Sequence, residues 1–264
     1  MNAVGLGRAA FHTLGFARRI SHPRRALGNL RLRRAGAPDG LPIPPDRLLY
    51  MISGDASVSS YLAGRRTADG IRSLLAEAGR PLEGMSAMLD FGCGCGRVLR
   101  HWSAAQPAAF GCDYDRDLVQ WCQQNLPHAD VTSNELLPPL PYKSGSFDLA
   151  YAISVFTHMP GHAQRQWINE MRRVLREDGV LLATFHGSAF MHLLTEPEAA
   201  EFARGSVVVT NAEYNGTNVC ASFNSSEHVR GVLAPDWDVL LHREHGGTTV
   251  GVGQQDVYLL RPTD

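Results

Sequence analysis

Met88-Leu-Asp-Phe-Gly-Cys-Gly-Cys-Gly-Arg-Val-Leu99 is the stretch on which the reading of this chain turns. A short apolar run ends at Asp90, and glycines follow at 92, 94 and 96. Arg97–Trp102 then reads as the first turns of a helix. A strand, a glycine-rich turn and a helix therefore follow one another directly. Glycine belongs where the chain reverses tightly and where a ligand must touch bare backbone. The start of a helix leaves N–H groups free for that ligand.

Two ligand classes use such a turn. Dinucleotide-binding folds favour G-x-G-x-x-G, with a pyrophosphate on the helix N-terminus. Here the spacing is Gly92-x-Gly94-x-Gly96, and Asp90 stands just ahead of it. A carboxylate there repels a pyrophosphate and suits a cationic amine, which favours the methionine moiety of S-adenosylmethionine. Ala108-Ala-Phe-Gly-Cys-Asp113 reads as the next strand and again ends in an acid. Asp113 falls about 20 residues past the glycine turn, the spacing at which a carboxylate accepts hydrogen bonds from a ribose diol. Both ligand classes carry that ribose.

With these residues in view, the sequence resembles the class I S-adenosylmethionine-dependent methyltransferases, strongly over residues 85–186 and loosely elsewhere. Leu89-Asp-Phe-Gly-Cys-Gly-Cys-Gly96 matches the family's first motif, and Gly111-Cys-Asp113 matches its ribose acid. Leu140-Pro-Tyr-Lys-Ser-Gly-Ser-Phe-Asp-Leu149 matches the run before the fourth strand, and Ser154-Val-Phe-Thr-His-Met159 the segment after it. Glu170-Met-Arg-Arg-Val-Leu-Arg-Glu-Asp-Gly179 matches the run before the fifth strand. The resemblance implies an α/β fold: a Rossmann-like, doubly wound, seven-stranded sheet, mostly parallel with a last antiparallel strand. It also implies S-adenosylmethionine as cofactor. Carried over position by position, it assigns Asp90, Gly92, Gly94, Gly96, Asp113, Tyr114, Asn134, Glu135, Ser154 and Val155 to cofactor binding. One departure stands out. The family usually places an acid near the adenine after the third strand, whereas Asn134 stands here with Glu135 next to it. An amide still bonds an adenine amino group.

Outward from this centre, the coarse pattern alternates strands and helices. Strands read at Ala87–Asp90, Ala108–Asp113, Asp130–Ser133, Phe147–Ser154 and Val180–Phe185. Asp115 caps a helix with Leu118, Val119 and Cys122 as its inner stripe, and a second helix spans His162–Arg176 with Gly179 as its C-terminal cap. Such alternation implies a parallel sheet with ligands at the carboxyl ends of its strands. Residues 46–84 read as a helical element, which in the family lies across the cofactor and the substrate mouth, with Tyr50 and Tyr61 read as pocket or packing residues. Beyond Gly187, Thr195-Glu-Pro-Glu198 looks like a capping box. Val207–Asn211 and Asn218–Phe223 read as a hairpin around Asn215-Gly216, a helix sits near Ser226–Leu233, and strands follow at Trp237–His242 and Asp256–Leu260. The expected organisation is a basic arm and proline-rich linker over 1–45 and a methyltransferase domain over 46–264. Within that domain, 46–84 is a lid and 188–224 a cap insertion.

Composition narrows the class. The chain has 264 residues and a net charge of −1, so no global field draws it to nucleic acid or membrane. Five cysteines (93, 95, 112, 122 and 220) form no framework and point to reduced thiols in the cytoplasm. Cys93 and Cys95 lack the second pair that a structural zinc site wants, so no metal is expected. No apolar run approaches the ~18 residues of a membrane span. The first acid is Asp39, and eight arginines precede it at 8, 18, 19, 24, 25, 31, 33 and 34. That arm reads as a basic amphipathic helix making weak contact with a membrane surface or touching an acidic partner, as a transit peptide, or as a solvated segment; it lacks a secretory apolar core.

Methyl transfer from a sulfonium is an in-line displacement that asks mainly for alignment and exclusion of water. A general base is needed for a hydroxyl or a protonated amine. His158, His162 and His186 are candidates; His158 and His186 follow strands and are the expected catalytic pair. The expected function is methylation of a small-molecule or glycan acceptor, with oxygen favoured over nitrogen. Nucleic acid is disfavoured as acceptor, because adenine-N6 enzymes carry Asn/Asp-Pro-Pro-aromatic where this chain has Ser154-Val-Phe-Thr157. The alternatives are an NAD-dependent oxidoreductase, opposed by the glycine spacing and Asp90, and a non-catalytic cofactor-binding partner subunit.

Overall fold

The strand before the glycine turn and the next two strands on one side of it in the sheet share one physical trait: most of their residues are buried, on both faces. β1 (Ala87–Phe91), β4 (Phe147–Ala152) and, from Val180 on, β5 (Leu175–Phe185) are mostly apolar, as strands covered on both faces by helices must be. The computed structural model describes residues 23–102 and 107–263. The part of the basic arm with Arg8, Arg18 and Arg19, and each reading made of it, lies outside those residues.

With β2 (Ala108–Asp113), β3 (Ala129–Ser133), β8 (Trp237–Arg243) and β9 (Asp256–Pro262), the strands form a seven-stranded sheet in the order β3-β2-β1-β4-β5-β9-β8. β3 through β5 pair in parallel; β9 is antiparallel to both of its neighbours. The period of two sorts the core into halves. Leu89, Phe91, Ala150, Leu181 and Phe185 face one side, where Trp167, Ile168, Met171 and Val174 of α6 (Gly161–Val174) cover them. Met88, Leu149, Tyr151 and Leu182 face the other, covered by Ile71, Leu74 and Leu75 of α4 (Gly64–Glu77). Before α4 come α1 (Pro23–Ala35), α2 (Asp46–Ser53) and α3 (Val58–Leu62), the last capped by Ser57 Oγ. Asp115 caps α5 (Arg116–Asn125) by accepting from Asp117 N and Leu118 N. The capping box at Thr195 and Glu198 opens α7 (Glu196–Ala203).

Three local expectations are revised. Arg97–Trp102 forms a turn and a 3₁₀ segment at Leu99–His101 instead of a longer helix. Its side chains are committed elsewhere: Arg100 to the N-terminal linker and Trp102 Nε1 to Tyr151 Oη at 2.7 Å. Gly179 is not a helix cap. α6 ends at Val174 and Leu175 at once pairs with Phe147, while a Cβ on Gly179 would stand 2.9 Å from the Phe147 carbonyl, so the close approach of β4 and β5 requires glycine. The hairpin strands are β6 (Val207–Thr210) and β7 (Ala221–Asn224), ended early by Asn211 at φ +54°, so Asn215-Gly216 belongs to a long loop and not to a tight turn. Near Ser226–Leu233 the chain makes a short α-turn and then a π-turn.

The linker before α2 is fastened to the glycine turn by a buried guanidinium. Arg100 Nε donates to Asp39 Oδ2 at 2.7 Å and Nη2 to Asp39 Oδ1 at 2.5 Å, while Nη1 and Nη2 reach the carbonyls of Pro42 and Leu41. The Arg100 side chain has no exposed surface and lies 5.0 Å over the Tyr61 ring, whose hydroxyl donates to the Cys95 carbonyl. Burial raises the Asp39 pKa, but the hydrogen bonds and charge of Arg100 outweigh it and hold the carboxyl below its ordinary value. Asp39→Asn leaves the buried cation without its counter-charge and is expected to lower the unfolding free energy by about 3 kcal/mol in a urea titration at pH 7. The Asp39 contribution is complete above the unfolded value near 3.8 and fades as pH falls through the lower folded value, so wild type and variant should converge in acid.

Candidate functional site

The carboxyl ends of β1, β2, β3 and β4 open into a cleft of about 580 Å³. Gly92 and Gly94 form its floor at φ +73° and +56°. A Cβ at Gly92 would stand 2.6 Å from Val155 Cγ2, and one at Gly94 2.7 Å from Ile52 Cγ2. Backbone is therefore presented bare to whatever fills the cleft. Gly96 does not line it; it packs behind the turn, where a Cβ would strike Leu126 of the cap of α5 at 2.3 Å.

Asp113 is buried at the end of β2. Its Oδ2 accepts from Gly94 N and its Oδ1 from Asp115 N, both at 2.9 Å. Burial pushes its pKa up to about 6, against the pull of those N–H groups. Each oxygen keeps a second lone pair for a ligand donor. Asp90 is more deeply placed. Burial raises its pKa to about 7, opposed by a Tyr151 hydrogen bond and the Arg97 charge and assisted by Asp113. Its Oδ2 is buried without a hydrogen-bond partner. Such an atom calls for a cationic or N–H donor.

Arg97, which the sequence reading did not single out, faces the same cleft. Its Nη1 donates to Thr67 Oγ1 at 3.0 Å, and among the described residues it forms no ion pair. The signal was present: a cation directly after the third glycine, with an acid before the first. Asn134 and Glu135 line the cleft past β3; the Asn134 amide donates to the Glu135 carbonyl at 2.6 Å, and its Oδ1 is buried and unpartnered. Tyr114, Ser154 and Val155 also line it. Ser154 adopts φ +59°, unusual for a side-chain-bearing residue. Its N–H donates to Thr184 Oγ1 at 2.8 Å, and the Gln255 amide reaches its hydroxyl at 3.0 Å.

The histidines separate. His158 lines the cleft, and its Nδ1 lies 2.8 Å from the Cys220 carbonyl. A carbonyl only accepts, so Nδ1 carries the proton and Nε2 keeps a lone pair. Burial lowers the His158 pKa, so the ring is neutral at pH 7. His186 does not reach the cleft lining. Its ring is held by Phe190 at 4.4 Å and Phe223 at 5.4 Å, 6.4 Å from the His158 ring, and burial lowers its pKa to about 4. His162 is exposed at the start of α6 and outside the lining. Tyr50 and Tyr61 are buried packing residues away from the lining; Met51, Ile52, Ser53 and Gly54 take that edge instead.

A roof comes from the loop between β6 and β7. Tyr114 Oη donates to the Gly216 carbonyl at 2.8 Å, Gly216 N donates to the His158 carbonyl at 2.8 Å, and Asn218 Nδ2 donates to the Met51 carbonyl at 3.1 Å. Asn215 and Asn218 look into the cleft, and Asn215 Oδ1 is buried without a partner. Among the described residues no group of histidines, cysteines and acids is arranged for a metal ion. Cys93 and Cys122 instead donate to the Gly94 carbonyl at 3.6 and 3.4 Å.

Residues 89–183 match the family model described as a methyltransferase domain. Solved structures share the fold. An S-adenosylmethionine-dependent methyltransferase from Methanosarcina mazei is 18% identical with a TM-score of 0.52, over 69% of this chain and 93% of that one. The Burkholderia thailandensis 1,6-didemethyltoxoflavin-N1-methyltransferase, solved with 1,6-didemethyltoxoflavin and S-adenosylhomocysteine, is 18% identical with a TM-score of 0.53, over 78% and 85%. The CcbJ methyltransferase from Streptomyces caelestis is 11% identical with a TM-score of 0.54, over 76% and 90%.

The ligand-free cleft has a pH signature. Between the ordinary value of 3.8 and about 7, folded Asp90 holds a proton that the unfolded chain has released. Stability of the ligand-free protein should therefore fall as pH rises across that window, by a few kcal/mol. In Asp90→Asn, chemical denaturation at a series of pH values should show a flatter profile over the same range.

Proposed function

We propose that this chain, a class I S-adenosylmethionine-dependent methyltransferase, methylates a hydroxyl oxygen of a small polar acceptor such as a sugar or other polyhydroxy compound. The observation that carries this reading is His158: a neutral imidazole with its lone pair on Nε2, in a cleft whose charged lining residues, Asp90, Arg97, Asp113 and Glu135, go to the cofactor in this reading and leave the uncharged Asn215, Asn218 and Gln255 for the acceptor. Uncharged donors and acceptors suit a polyol and give a charged acceptor no counter-ion.

The cleft fits the cofactor. The bare glycine floor, the unpartnered Asp90 Oδ2, the spare lone pairs of Asp113 and the guanidinium of Arg97 are complementary to an amino acid joined to a ribose. Asp90 would hold the α-amino group and Arg97 the carboxylate, with Gly92 and Gly94 beneath. Asp113 would accept from the ribose hydroxyls. Asn134 Oδ1 would accept from the adenine amino group, with Glu135, Tyr114, Ser154 and Val155 around it. When bound, S-adenosylmethionine supplies an activated methyl group on a positively charged sulfur. His158 would take the acceptor hydroxyl proton at Nε2, and the bond from Nδ1 to the Cys220 carbonyl fixes the tautomer that can do so. The loop 211–220 and residues Met51–Gly54 would exclude water from the cleft. His186, packed behind the His158 ring, would support its orientation.

Assays with methyl-labelled cofactor against sugars, polyols and amines test the acceptor. His158→Ala is expected to lower kcat on a hydroxyl acceptor by about 10²–10⁴-fold while cofactor affinity stays within about twofold. The acid limb of the kcat profile should lie below the ordinary histidine range, since the neutral ring is the active form and its pKa is lowered. Turnover confined to amines and indifferent to His158 would sink the oxygen assignment. Calorimetry tests the cofactor contacts. Affinity should rise by up to about tenfold per pH unit between about 6 and about 7 as Asp90 ionises, and that rise should vanish in Asp90→Asn. Arg97→Leu should weaken binding about tenfold or more, as loss of a charge-assisted contact does.

A further inference from the structure

α1 is polarised in an unusual way. Its inner face is largely hydrogen-bonded: Arg25 Nη1 donates to the Asp55 carbonyl, Asn29 Nδ2 donates to the Ala56 carbonyl, and Arg33 Nη2 donates to the Pro44 carbonyl and to Asp46 Oδ1, while Leu32 packs on the apolar cluster around Leu48, Leu49 and Tyr61. Its other two leucines point out. Leu27 is 56% and Leu30 44% exposed, and with the exposed Arg31 and Arg34 they occupy one stripe at helical spacing. Outside α1, among the described residues, the exposed large apolar side chains are Leu137, Leu193 and Val232, none adjacent to another in sequence.

We propose that this outer face of α1 docks on an anionic lipid surface. Charge disfavours two other occupants, residues 1–22 and a second copy of the chain. Residues 1–22 carry Arg8, Arg18 and Arg19 and no Asp or Glu, so that segment is repelled by Arg31 and Arg34. A second copy apposing the same face would set the same arginines against one another. A lipid surface satisfies both halves of the stripe: the leucines enter the acyl boundary while the guanidinium groups meet phosphates. Nucleic acid would use the arginines but has no place for the leucines between them. The acid-free run that ends at Asp39 extends the same charge along the chain. Because α1 is bonded to the turn at Asp55 and Ala56, which continues directly from the cleft residue Gly54, docking would hold the cleft beside the bilayer.

Sedimentation of the full chain with vesicles tests this. Protein should pellet with phosphatidylcholine vesicles that contain phosphatidylglycerol, not with phosphatidylcholine alone, and pellet less at roughly 0.5 M salt. L27S/L30S should weaken partitioning by about tenfold or more, with melting temperature and cofactor affinity unchanged because both leucines are exposed. R31Q/R34Q should weaken it as well. Failure to pellet with anionic vesicles would overturn the proposal. So would pelleting that L27S/L30S leaves intact, or RNA binding in the absence of vesicle binding.

Discussion

One buried carboxylate holds the centre of this molecule together. Asp113 accepts from the glycine turn through Gly94 N and from the entry to α5 through Asp115 N. Just before it, the Cys112 carbonyl accepts from Gly92 N and Cys93 N. The turn leaves β1 with left-handed glycines that cannot satisfy their N–H groups in a helix, so the end of β2 satisfies them. Burying that acid is unfavourable, as its raised pKa records. The cost is tolerable because the donors are fixed in place, and it leaves lone pairs where a ligand can use them.

The cleft walls are drawn from segments far apart in the chain. Floor and acids come from the β1–β2 region, one edge from α2, the roof from the β6–β7 loop, and Gln255 from the approach to β9. His158 sits where these meet. Its side chain donates to the roof at Cys220 and its carbonyl accepts from the roof at Gly216. The tautomer of the ring is therefore set by the roof, and displacing the roof would free Nδ1. The same loop is tied to α2 through Asn218 and Met51, and α2 follows the linker that Arg100 secures. A chain of polar contacts thus runs from the N-terminal linker to the imidazole.

What could be read from sequence was what local chemistry dictates. The strands announce themselves as apolar runs, the glycine turn by composition, Asp115 and Thr195 as caps. The seven-stranded, mostly parallel sheet with its late antiparallel strand followed from the resemblance, while the strand order comes from the structure. Gly179 shows the limit: its position after a helix suggests a cap, but the contact that demands glycine is with Phe147, a strand away. His186 shows another. A histidine after a strand lies near the right edge, yet which side of the sheet end it takes depends on Phe190 and Phe223, and no local rule gives that. Asn218, Met51 and Gln255 enter the cleft only through tertiary contacts, so nothing in their neighbourhoods marks them. Arg97 was legible in principle, as half of a charge pair flanking the glycines.

The position of β9 has a bearing on how the chain reaches this state. β9 enters between β5 and β8, pairing Phe185 with Asp256 across the whole of residues 186–255. β1 through β5 can assemble from neighbouring crossovers, but β5 keeps an open edge of unpaired N–H and C=O groups until that long excursion has been synthesised and brought back. Its buried residues, Val180–Phe185, form the kind of uncharged β-rich segment that pairs promiscuously when left uncovered. Assembly is thus governed by late, non-local closure, which is slow in folding terms and exposes a nascent chain to aggregation.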